Sequence, residues 1–101
     1  MRTFLLLSTL SPQGLQTLAT TPERLLEVNR DIEALGGRVV KQWALLGAYD
    51  FLSVVEAPDE RVIARVTVEL SARGSASFET LVAIPADELI DALEDPGAIG
   101  S

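Results

Sequence analysis

Three carboxylates in or beside apolar segments, Asp50, Glu56 and Glu79, and one phenol, Tyr49, are the groups of this chain placed to move a proton. Held together in a pocket, such groups act as general acid and base, but nothing in their spacing fixes how far apart they lie. The chain contains neither His nor Cys, which removes the Ser–His and thiol nucleophiles, disulfides and the usual zinc ligands. Gly36-Gly37 follows a helical stretch and matches neither the dinucleotide fingerprint nor the phosphate-binding loop. Asp59-Glu60 and the C-terminal acids lack the spacing of a calcium-binding loop. The expectation is therefore no catalytic residue that can be assigned, no metal and no cofactor. Trp43 remains, on a segment with Lys41 and Gln42, either stacking on a ligand or packing in a dimer seam or against a helix.

The elements that must position these residues follow from periodicity. Residues 3–10 are apolar on both alternating sets, with Phe4, Leu6 and Leu10 on one and Leu5 and Leu7 on the other. That pattern suits a strand covered on both faces rather than a secretory leader, since Ser11-Pro12 stands where a cleavage site would be needed. Ser11-Pro12 and Thr21-Pro22 both read as helix starts. The first predicts a short helical turn carrying Leu15 and Leu18, the second a helix with Leu25, Val28, Ile32 and Leu35 on one face. Gly36-Gly37 ends it. Residues 38–46 alternate as a second strand, 47–50 form a turn, and 51–55 form a third strand that pairs with the second as an antiparallel hairpin. Asp59 caps a helix whose buried stripe is Val62, Ile63, Val66 and Leu70, and Gly74 stops it. Residues 77–84 make the fourth strand. A last short helix carries Ala86, Leu89, Ile90 and Leu93 on one face and stops at Pro96-Gly97.

This order predicts an α+β fold, a ferredoxin-like βαββαβ unit. Its four-stranded antiparallel sheet carries two helices on one face, plus the short C-terminal helix. One domain spans residues 1–95, with 96–101 a loose tail. Two helices cover only one face of the sheet, yet the first and third strands carry bulk on both. The expected solution is a homodimer, or a higher homo-oligomer, packed through the sheet face. The C-terminal helix is the other element able to hide part of that face.

The net charge of −7 opposes a phosphate-binding surface, and five aromatics with eight basic residues make a poor nucleic-acid platform. Five of those charges lie in residues 85–101, as Asp87, Glu88, Asp91, Glu94 and Asp95 with no base among them. The acidity therefore belongs mostly to one amphipathic helix, where a charged partner is to be sought. No segment approaches the ~20 apolar residues of a membrane span, and a cytoplasmic location is expected.

Gly47-Ala48-Tyr49-Asp50, followed by a strand ending Val55-Glu56-Ala57-Pro58-Asp59, resembles the GYD-domain family of small bacterial proteins. The similarity runs from about Thr3 to Leu93 and includes Gly36-Gly37 and Glu79-Thr80-Leu81. The resemblance implies a fold similar to the dimeric α/β barrels, dimerisation, and Gly47, Tyr49 and Asp50 as motif positions. It implies no activity.

The motif also has a purely structural reading. Gly and Asp suit a tight turn, and the Tyr49 ring closes the edge of the core while its hydroxyl stays wet. Among the polar strand positions, Gln42 and Thr80 read as edge or solvated sites, and Glu79 as a salt-bridge partner of Arg73 or Lys41. The function expected is a dimeric ligand-binding or protein-interaction module, holding a small apolar or mixed-polarity ligand between sheet and helices with Tyr49 and Asp50 on the pocket lip, and with Trp43, Gly47, Tyr49, Asp50 and Glu79 as candidate ligand-binding residues. The alternative is a cofactor-independent oxygenase or isomerase of the dimeric-barrel type, with Tyr49, Asp50 and Glu79 as acid–base groups and Trp43 as a wall. A structural partner protein using its acidic surface is a third class. A small-molecule reading requires a closed pocket of roughly 300 Å³ or more touching Tyr49 or Trp43.

Overall fold

The computed structural model of the chain describes residues 1–95. Its elements in order are β1 (Arg2–Leu10), α1 (Pro12–Thr20), α2 (Arg24–Ala34), β2 (Arg38–Ala44), β3 (Phe51–Ala57), α3 (Glu60–Ser71), β4 (Ala76–Ala83) and α4 (Ala86–Glu94). The four strands form one sheet in the order β2-β3-β1-β4, and every neighbouring pair is antiparallel. This is the strand order of a ferredoxin-like sheet, with β1 and β3 central. The expected tail, residues 96–101, and the expected stop at Pro96-Gly97 lie outside the described residues, and α4 runs to Glu94.

Two helix starts follow the chemistry of their caps, whereas the start expected at Thr21-Pro22 is corrected: Thr21 closes α1, and α2 begins at Arg24 after Glu23, which makes no side-chain capping bond. The Ser11 hydroxyl accepts the Gly14 N–H at 3.0 Å and Pro12 fills the first turn. The Asp59 carboxylate accepts from the N–H groups of Arg61 and Val62 at 2.9 and 3.2 Å. After α2 the chain reverses at Gly36, whose φ of +106° suits a residue without a side chain. α1 lies close against the loop before β4. Ser11 donates its N–H to the Ser75 carbonyl at 2.9 Å, and a Cβ on Gly14 would stand 2.2 Å from that same oxygen.

One face of the sheet packs under α1, α2 and α3. Phe4, Leu6 and Val55 from the central strands meet Ile32 of α2 and Ile63, Val66 and Leu70 of α3 in a single buried cluster. Where two helices were expected on this face, three are present, because the turn after Ser11-Pro12 grows into a nine-residue helix. The buried stripe of α3 matches its expected positions, with Val62 only half-buried.

Two expectations are corrected by β2 and its neighbours. The strand ends at Ala44 rather than Leu46, and its register shifts between Val39 and Lys41, so Val40 is an extra residue in a β-bulge. The bulge breaks the simple alternation: Val39 opposite Val55 and Gln42 opposite Ser53 both fall on the helix-covered face. Gln42 is thus no solvated edge residue. Its amide exchanges two hydrogen bonds with that of Asn29, at 2.9 and 3.1 Å, and donates to the Ser53 hydroxyl at 2.8 Å. Thr80 is exposed as expected.

The opposite face of the sheet carries no helix among the described residues. Leu5, Val54 and Leu81 form one row across it, and Leu7, Leu52 and Glu79 the next, with Lys41 and Trp43 beside them on β2. Leu81 and Trp43 are 42% and 46% exposed. α4 does not cover this face. Every residue of α4 is exposed, and the molecule extends over 56 × 28 × 19 Å. Its radius of gyration is 16.0 Å, whereas a compact domain of this length has about 13 Å.

Candidate functional site

The loop between β2 and β3 carries the Gly-Ala-Tyr-Asp motif, and its geometry begins with Asp50. The Asp50 N–H donates to the Ser8 carbonyl at 2.8 Å, and its own carbonyl accepts the Leu45 N–H at 2.8 Å. The carboxylate reaches further, to the Leu10 N–H at 2.8 Å. The carboxylate of a turn residue therefore clamps the end of β1, 40 residues earlier in the chain. Replacing it should leave a partly buried amide unpaired at a cost of about 1–3 kcal/mol. Asp50→Ala should unfold at correspondingly lower urea, and Asp50→Asn should recover part of the loss because an amide oxygen still accepts. An unchanged urea midpoint in Asp50→Ala would show the clamp to be idle.

With Asp50 fixed, the loop turns at Gly47, where φ is +133° and no atom lies near the missing side chain. Tyr49 then points to the far side of the sheet, where its hydroxyl donates to the Glu79 carboxylate on the edge strand β4. β1 lies between the two strands involved, so the contact ties the loop to β4 across the helix-free face. Glu79 is not the partner of Arg73 or Lys41. Arg73 bonds Asp31 at 2.7 Å, and the Lys41 ammonium lies 5.9 Å from the centre of the Trp43 ring. Trp43 does not pack against a described helix; its indole lies on the open face, opposite Leu52.

The hydrogen bond to Glu79, then the charge of that carboxylate and a little desolvation, raise the Tyr49 pKa above the ordinary phenol value. The folded chain holds the proton more tightly than the unfolded one. Its contribution to stability is present below the ordinary phenol range and is lost as the pH rises through the raised value. Since Tyr49 is the only tyrosine, ultraviolet titration of tyrosinate reads this group alone. The midpoint should lie above that of a free tyrosine and fall when Glu79 becomes Gln. Equal midpoints in the two proteins would contradict the contact.

A concave space among the described residues, partly open to solvent, lies elsewhere. A cavity of about 250 Å³ opens between the helix-covered face and α1 and α2, with Leu6, Leu18, Val28, Phe51, Leu70 and Phe78 as its apolar walls. Ser8, Gln42 and Ser53 supply polar groups to it, and Arg24 and Arg73 border it. Trp43, Gly47, Tyr49, Asp50 and Glu79 do not line it. Among its lining residues there is no carboxylate, Tyr or Lys, so none of the acid–base candidates reaches the cavity wall. The sequence leads one to expect a ligand space between sheet and helices, but with Tyr49 and Asp50 on its lip; the walls it has are missed because α1 reads as a short turn. Ser8 and Ser53, polar residues inside otherwise apolar central strands, are the available signal. Among the described residues no group of His, Cys, Asp and Glu is arranged to hold a metal ion.

A family model described as GYD domain matches residues 4–93. A protein from Thermus thermophilus named glutamine synthetase and cystathionine beta-lyase binding protein is 50% identical over 95 residues, 93% of this chain and 100% of that protein. Among solved structures, a crystal structure of a Thermus thermophilus protein is similar with a TM-score of 0.54 and 23% identity. That likeness covers 83% of this chain and 94% of the other, and it bears on the fold alone.

Proposed function

The chain belongs to the GYD-domain family, and from that premise we propose that it is a homodimeric module that binds other proteins. In this reading two copies pack their open sheet faces together into a dimeric α/β barrel, and α4 is presented to a partner. What supports the dimer is the apolar face itself. Leu5, Leu7, Leu52, Val54 and Leu81 form a contiguous surface on the two central strands and one edge, and no described element of the chain lies over it. Exposed apolar patches of this kind mark interaction surfaces, and a two-fold contact lets one patch seal itself against its copy.

The single observation that carries partner binding is α4. Leu89, Ile90 and Leu93 stand 51%, 52% and 67% exposed on one side of a helix flanked by five carboxylates. An amphipathic helix without a face to pack on is the form in which one protein lays apolar anchors into the groove of another. Its charge calls for a groove with a basic rim. The name of the relative that is 50% identical says that it binds glutamine synthetase and cystathionine beta-lyase. Enzymes of these two kinds are therefore the partners to try first. With the full chain immobilised, each purified enzyme should bind with a Kd in the micromolar range or tighter, and raised salt should weaken the complex. Failure of both enzymes to bind at roughly ten times that concentration would contradict the proposal.

A further inference from the structure

The cavity under α1 and α2 has no part in the proposed dimer or in partner binding, yet it carries a coherent recognition chemistry. We infer that it is a binding site for a small, uncharged, mainly apolar molecule bearing one hydroxyl or carbonyl group, of the class of a simple phenol or cyclic ketone. Size is the first argument. A cavity of about 150 Å³ with aliphatic and aromatic walls takes up benzene, so 250 Å³ accommodates a substituted six-membered ring. Its walls suit such a ring, with Phe51 and Phe78 from the sheet facing Leu18 and Val28 from the helices.

The polar groups set the rest of the specificity. Ser53 is already engaged, accepting from Gln42, whose amide is in turn held by Asn29. Ser8 differs. It is only 7% exposed, it borders the cavity, and among the described residues its hydroxyl has no hydrogen-bond partner. No described polar side-chain atom that is wholly sealed lacks a partner, so the Ser8 hydroxyl keeps an opening, and the cavity is what it borders. A nearly buried hydroxyl without a partner is costly unless something in the space beside it supplies one. That calls for one hydrogen-bonding group on the ligand. The bordering arginines do not ask for an anion, because Arg24 is paired with Glu27 and Arg73 with Asp31. A full charge on the ligand would enter the cavity unmatched.

The test uses the full chain and three probes, p-cresol, toluene and 4-methylbenzoate, followed by heteronuclear NMR or calorimetry. Saturable binding of p-cresol is expected, about 5–10-fold tighter than toluene, the usual worth of one hydrogen bond. Binding of 4-methylbenzoate should be weaker than that of p-cresol. Ser8→Ala should abolish the preference for p-cresol while leaving toluene within about twofold of its wild-type affinity. Leu18→Trp should fill the space and remove both neutral probes. Ala76→Leu, a smaller change at the β4 wall, serves the same purpose if the Trp variant does not fold. Absence of saturable p-cresol binding, tighter binding of the benzoate, or p-cresol affinity untouched by both filling variants would overturn the inference. The state of the dimer is read separately by sedimentation, so a monomeric protein that binds p-cresol refutes only the dimer.

Discussion

Leu5→Asp should convert the proposed dimer into a folded monomer of 10.8 kDa. Leu5 stands at the middle of the open face, between Val54 on β3 and Leu81 on β4. In the proposed dimer its side chain is sealed between two sheets, where a carboxylate has neither water nor a cation. Leaving such a charge uncompensated in an interface costs on the order of 3–5 kcal/mol, and a two-fold contact buries it twice. The dimer dissociation constant should therefore rise by roughly a thousandfold or more. Leu81→Asp is the companion variant. Leu81 is already 42% exposed in the single chain, so its carboxylate is solvated in the monomer and the fold is spared. Sedimentation velocity across a concentration series reads both. A wild type that sediments as a monomer at low micromolar concentration, or variants that remain dimeric, would remove the face-to-face assembly.

Deleting residues 86–101 should separate binding from stability. Because every residue of α4 is exposed, the truncated chain should keep its urea midpoint. It should also keep its dimer. What it should lose is partner affinity, by on the order of 100-fold or more, since three clustered apolar anchors and five charges leave together. Leu89→Ala with Leu93→Ala should reproduce much of that loss with the charge intact, whereas neutralising Asp91 and Glu94 should chiefly slow association and flatten its salt dependence. A truncated protein with reduced stability would instead mean that α4 covers the core in solution. Unchanged partner affinity would move the binding surface elsewhere on the molecule.

The sheet is legible in the sequence because period-two patterns carry burial directly. Apolar residues on both sets of β1 and β3 mark these strands as central, and both of their faces are indeed apolar. Two caps are legible too, since Ser11 and Asp59 each need only a nearby N–H to act on, while Thr21-Pro22 carries the same signal and caps nothing. β2 is not, because one extra residue at Val40 moves every following side chain to the other face and leaves no trace in composition. Gln42 reads as an edge residue for that reason. The reach of Asp50 to Leu10 and of Tyr49 to Glu79 is tertiary, and a turn motif looks the same whether its side chains close on themselves or on a distant strand. The cavity is hidden by the length of α1. Its nine residues require the close approach at Gly14, which only the position of Ser75 explains.

The chain holds one tryptophan, and Trp43 lies on the open face 46% exposed in the single chain. Its fluorescence therefore reports on what covers that face. At micromolar concentration the emission should be blue-shifted and protected from acrylamide, and it should move to that of an exposed indole on dilution and in Leu5→Asp. Emission already characteristic of an exposed indole at every concentration, identical in the wild type and the variant, would contradict the sealed sheet face.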